Sequence, residues 1–116
     1  ENKGYQSWCS DMWAVLHQLW ANNQKTKIVP ELNFAWSTDP ISKLKTHTIL
    51  HNAGITGTSM NGHPTFFKGM YHNGGSPFKQ GEHLYDVLES EESQKYCTGY
   101  YANKLNELNI KYNLHY

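Results

Sequence analysis

The chain has 116 residues and a mass of 13.4 kDa, room for one domain with one core and little for an enzyme that must hold two substrates. Its ten basic residues, all Lys, balance ten carboxylates and are scattered, so the basic stripe that nucleic-acid binding requires is missing. No apolar run approaches the roughly 18 residues that cross a bilayer, and no charged-then-apolar leader opens the chain, so a cytoplasmic chain without a membrane span is expected.

Trp8, Met12, Val15, Leu16, Leu19 and Trp20 recur at steps of three and four, which predicts an amphipathic helix from about Ser7 to Ala21. Ser7 or Ser10 can cap it, Asp11 falls near its positive end, and the Asn22–Asn23 pair ends it. After Ile28, Val29 and Pro30, the alternation of Leu32, Phe34 and Trp36 with polar or small residues reads as a strand with one apolar face. Asp39–Pro40 turns the chain, and a second short strand from Thr46 to Leu50 delivers His51, Asn52, Ala53 and Gly54.

Gly54 to Gly81 contains six glycines after the first, together with Pro64 and Pro77, and only Thr65 to Tyr71 looks regular. A loop of that length in a small domain is more often a binding loop or lid than a connector. Burial of Phe66 or Phe67 is expected to pin its middle. Tyr96, Tyr100, Tyr101, Leu105 and Leu108 then share one stripe of a C-terminal helix from about Ser90 to Asn109, interrupted by Gly99. Cys9 and Cys97 lack the spacing of a zinc knuckle or disulfide framework; reduced, buried thiols are expected unless the two helices carrying them touch, which would allow a disulfide. The whole reads as a mixed α/β piece: an N-terminal helix, two or three short strands, a long Gly-rich loop and a C-terminal helix.

Three separated pieces could carry chemistry. Asp11, a carboxylate at a helix start, suits a general base, or it merely complements the helix dipole. His51, where a strand meets a glycine turn, can offer a neutral imidazole to a divalent ion, or it is one more hydrogen-bonded histidine among seven. Lys68, beside Gly69 in Phe66-Phe67-Lys68-Gly69, can present an ammonium to a phosphate, or it is a solvated loop lysine.

Taken in order, these pieces resemble the C-terminal, acceptor-side portion of a GT-A type nucleotide-sugar glycosyltransferase. The run SDMWAVLHQLW resembles the acidic helix that floors the acceptor site, and HNAG followed by FFKG resembles the family's C-terminal His, Gly and Lys element. The resemblance spans Tyr5 to Phe78. It implies that Asp11 is the catalytic base, that His51 completes a metal site for Mn²⁺ or Mg²⁺, that Lys68 contacts the donor diphosphate, and that Gly54 permits the turn. Trp13 and Trp36 would line the carbohydrate site.

The same resemblance leads one to expect a nucleotide-binding half with an Asp-x-Asp motif, and no Asp-x-Asp occurs in this sequence. One His cannot hold a hard divalent ion without carboxylates, so metal and nucleotide-sugar donor would need another segment or chain carrying that half. Residues 1–116 therefore read as a single domain or as the C-terminal part of a larger transferase domain. A second class of function is a non-catalytic carbohydrate-binding module that uses Trp13, Trp36 and Tyr71 as stacking platforms. A third is a structural or assembly protein whose Tyr-rich last helix is an interface.

Overall fold

The computed structural model describes residues 10–53, 62–79 and 81–114. Its contacts divide the chain into two units, Glu1–Pro30 and Glu31–Tyr116.

The first unit is organised by α1, Ser10–Ala21. The Asn pair stops it as expected. Asn23 takes a left-handed φ of 55°, its amide bonds the Trp20 carbonyl, and the Gln24 amide reaches back to Leu19 at 2.8 Å. This is a Schellman ending, and asparagine tolerates the left-handed position better than most residues do. None of the residues of α1 is buried: Met12, Trp13, Val15, Leu19 and Trp20 are all exposed.

In the second unit two three-residue strands, β1 at Phe34–Trp36 and β2 at Ile49–His51, pair in parallel. The register sets Phe34 against Ile49, Ala35 against Leu50, and Trp36 against His51. Both strands are displaced from the expected ones. Pro30–Leu32 winds a 3-10 turn, because proline fixes φ near the helical value, so the alternating segment becomes extended only from Phe34. Ile41–Lys45 winds a second 3-10 helix whose exit, with the Thr46 and His47 amides on the Lys43 carbonyl, delays β2 to Ile49.

Two helices and a short 3-10 segment build the core. α2, His83–Glu89, was not anticipated from sequence, although Leu84, Val87 and Leu88 carry its three- and four-residue spacing. α3 runs from Cys97 to Tyr112, later than the expected Ser90 start. Ser93–Lys95 is 3-10, and Tyr96 is extended and bridges Pro40. The first amides of α3 find acceptors in the turn after β1: Cys97 N–H donates to the Asp39 carbonyl at 2.9 Å and Thr98 N–H to the Ser37 carbonyl at 2.8 Å. These bonds satisfy donors that every helix start leaves open, and they tie α3 to the strand pair.

Phe66, Leu84, Val87 and Ala102 form the buried cluster, with Tyr71, Phe78, Tyr85, Leu88, Tyr101 and Leu105 packed on it. The buried line of α3 therefore passes through Thr98, Ala102, Leu105 and Asn109, while Tyr100 and Leu108, expected on the inner stripe, are exposed. Among the described residues no helix is long and apolar enough to cross a membrane.

Candidate functional site

The strand pair presents an aromatic platform. Residues two apart on a strand share a face, so Phe34 and Trp36 stand together and the register brings His51 beside Trp36. The Trp36 and His51 rings are stacked, with centroids 4.9 Å apart and planes inclined by 26°. Phe34 meets Trp36 edge-on at 4.9 Å and lies tilted at 57° to His51 at 5.0 Å. Phe34 is 38% exposed and Trp36 40%, so the rings are packed against one another yet open to solvent, whereas Ala35 on the other face is fully buried. Such a surface can cover the C–H face of a sugar ring, the apolar half of an otherwise polar ligand.

Polar groups immediately behind the platform hold it in place. Asp39 Oδ2 accepts the Trp36 backbone N–H and the Lys43 ammonium, each at 2.8 Å, so one carboxylate closes the turn after β1 and fastens it to the Ile41–Lys45 helix. Burial alone would raise the Asp39 carboxyl, but the Lys43 hydrogen bond, the Trp36 amide and the charges of Lys43 and His47 outweigh it and hold the group below the ordinary carboxylate range. One residue beyond the stacked pair, Ser37 Oγ donates to Asn52 Oδ1 at 2.7 Å, locking the ends of the two strands together. The Asn52 side-chain NH₂ is buried and has no partner among the described residues.

The other expected residues fall as follows. Asp11 lies exposed in the first turn of α1. Trp13, 54% exposed, begins a line of rings along α1, with His17 at 6.1 Å and Trp20 5.7 Å beyond it; Trp20 Nε1 donates to Thr26 Oγ1 at 3.2 Å. Lys68 opens the 3-10 helix Lys68–Tyr71, exposed and outside every ion pair of the described residues. Gly54 lies outside the described residues, as does Cys9.

Phe66 anchors the segment that carries Lys68. It is 3% exposed, its amide donates to Thr98 Oγ1 at 2.9 Å, and its ring packs 5.4 Å from Tyr101 and 6.0 Å from Tyr71. Just before it, His83 Nε2 donates to the Thr65 carbonyl and Ser93 Oγ to the Pro64 carbonyl, both at 2.7 Å. The middle of the Gly-rich loop is thus scaffold, as the two phenylalanines led one to expect. Tyr71 belongs to this core rather than to a ligand platform, and burial, reinforced by Glu82, pushes its phenol up.

Among the described residues no three His, Cys, Asp or Glu side chains gather where they could hold a metal ion. The rings around His51 are those of Trp36 and Phe34, which supply no oxygen ligands. The described residues therefore do not by themselves fit a Mn²⁺ or Mg²⁺ site, which needs several oxygens.

Sequence reasoning singled out Trp36 and His51 but missed that they stack, and it missed Phe34 and His17 as ring partners. The period-two placement of Phe34 and Trp36 was the available signal for the first. The four-residue spacing of Trp13 and His17 was the signal for the second.

Comparison with protein-family models, with curated proteins and with solved structures returns no match to this chain.

Proposed function

We propose that this chain binds carbohydrate through the Phe34–Trp36–His51 platform, as the acceptor-side part of a GT-A type nucleotide-sugar glycosyltransferase. The observation that carries the carbohydrate reading is the exposed, stacked Trp36–His51 pair. The transfer reading rests in addition on the order of Asp11, His51 and Lys68 in the sequence. In an inverting transfer Asp11 takes the proton from the acceptor hydroxyl as its oxygen attacks the anomeric carbon of the donor sugar, whereas in a retaining one Asp11 orients the acceptor. The bond from that carbon to the diphosphate oxygen breaks, and Lys68 offsets the charge that develops on the leaving group. Metal and donor would be held by a nucleotide-binding half with its own carboxylates, for which this chain carries no Asp-x-Asp motif.

Titration of the chain with mono- and disaccharides, followed by tryptophan fluorescence, tests the binding reading. A saturable change that Trp36→Ala abolishes and Trp20→Ala leaves intact is the expected result. A response unaffected by Trp36→Ala removes the platform as the site.

A non-catalytic carbohydrate-binding module is the second reading, favoured by the openness of the same rings, which need no catalytic group to hold a sugar. The two part on one measurement. If the chain is supplied with an Asp-x-Asp nucleotide-binding half, sugar transfer that Asp11→Asn slows at least 100-fold supports the transferase, within the range general-base catalysis contributes, about 10²–10⁴-fold.

A further inference from the structure

On the side of β2 away from the aromatic platform, the second unit contains a cavity of about 440 Å³ bounded by the Ile41–Lys45 helix, β2 and α3. We propose that it binds a small organic anion, a ring-sized apolar body carrying a phosphate or carboxylate. Its floor is apolar. Leu50 alternates with Ile49 and His51 and so points away from the platform, and Ile41 and Leu44 complete the surface. Ile41 and the neighbouring Tyr100 are 40% and 41% exposed, so apolar area remains for a ligand to cover.

The rim carries a cation and no anion. Lys45 and His47 line the cavity and no carboxylate does. Of the nearby acids, Asp39 pairs with Lys43 at 2.8 Å and Glu107 with Lys104, whose Nζ also lies 5.6 Å from the centre of the Tyr100 ring, while Glu31, which holds Thr48 through its backbone carbonyl, enters no ion pair among the described residues and does not line the cavity. Lys45 enters no ion pair among the described residues, so its ammonium is available. Thr46 Oγ1 donates to the Lys43 carbonyl, so at 2.9 Å it accepts from His47 Nδ1–H, and Nε2 becomes a donor to an anion when the ring is protonated. The Thr48 hydroxyl, also on the rim, donates to the Glu31 carbonyl and so is not the anion's donor. A lysine ammonium beside an imidazole, above an apolar floor, matches a ligand with one charged end, and the volume lies within the roughly 300–1,000 Å³ usual for small-molecule sites.

This site is independent of the carbohydrate reading, and the experiment separates them. Uniformly ¹⁵N-labelled chain is titrated with phenyl phosphate, with inorganic phosphate alone, and with benzyl alcohol alone. Phenyl phosphate is expected to give saturable shifts confined to residues 41–50 and to Tyr100, with both half-probes at least tenfold weaker. Lys45→Ala, at an exposed position, is expected to weaken phenyl phosphate about tenfold while the remaining spectrum is preserved, and Ile41→Glu is expected to do the same by placing a carboxylate on the rim. No saturation below about 10 mM, unchanged binding in Lys45→Ala, or shifts centred on Phe34 and Trp36 would each overturn the proposal.

Discussion

A methyl group added to Gly99 would stand 2.6 Å from the backbone carbonyl oxygen of Ser93 and 2.7 Å from the Gln94 α-carbon. The interruption in the C-terminal helix is thus a point of close approach, where α3 lies directly on the Ser93–Lys95 turn. Gly to Ala in an open helix would stabilise by about 1 kcal/mol. Here the neighbours are backbone and cannot swing aside, so Gly99→Ala should instead destabilise by about 1–3 kcal/mol in urea unfolding.

Asp39 provides the pH-dependent prediction. Its folded pKa lies below its unfolded one, so its contribution to stability is fully present above the unfolded value and disappears as pH falls through the folded value. Asp39→Asn should lower stability by about 1 kcal/mol at pH 7, the modest figure reflecting a partly solvated pair. Thermal unfolding of the two proteins should converge below the ordinary carboxylate range. A constant difference from pH 7 down to pH 2 would mean that the carboxylate charge is not what holds the turn.

Cys97 sits at the start of α3, where a thiolate would ordinarily be favoured, yet burial pushes its thiol up and Asp39 adds to this, with Lys43 opposing. In a Cys9→Ser background the native protein should react with a disulfide reagent at least tenfold more slowly than free cysteine, and urea should restore the rate. Fast labelling of the folded chain would show the thiol to be accessible.

Phe66→Ala removes the ring that joins the Gly-rich segment to α2 and α3, and it should cost about 3–5 kcal/mol. By contrast Lys68→Ala, at an exposed side chain, should leave unfolding within about 0.5 kcal/mol of wild type. In a complete transferase it should weaken donor binding and slow transfer, whereas Lys79→Ala should do little. Equal activity in both variants would place the diphosphate contact elsewhere.

The chain by itself is expected to bind UDP- or GDP-sugars with Mn²⁺ more weakly than about 1 mM, equivalent to roughly 4 kcal/mol. Isothermal titration checks this. Micromolar affinity would mean that a whole donor pocket forms from these residues.

The sequence alone determined the elements whose cause is local. The three- and four-residue spacing of α1 and its Asn22–Asn23 stop follow from helix geometry and from the left-handed tolerance of asparagine, and both are legible without a partner. So is the shared face of Phe34 and Trp36, because strand side chains alternate whatever lies beneath them. Tertiary structure decided the rest. That Trp36 meets His51 depends on a parallel register between segments 15 residues apart, which no local period encodes. The start of α3 at Cys97 depends on the Ser37 and Asp39 carbonyls that accept its first amides, and the need for Gly99 depends on a turn from a different element lying against it. α2 escaped notice because seven residues give a helical period too few repeats to stand out, and its burial against Phe66 and Ala102 supplies the stability that its own sequence lacks.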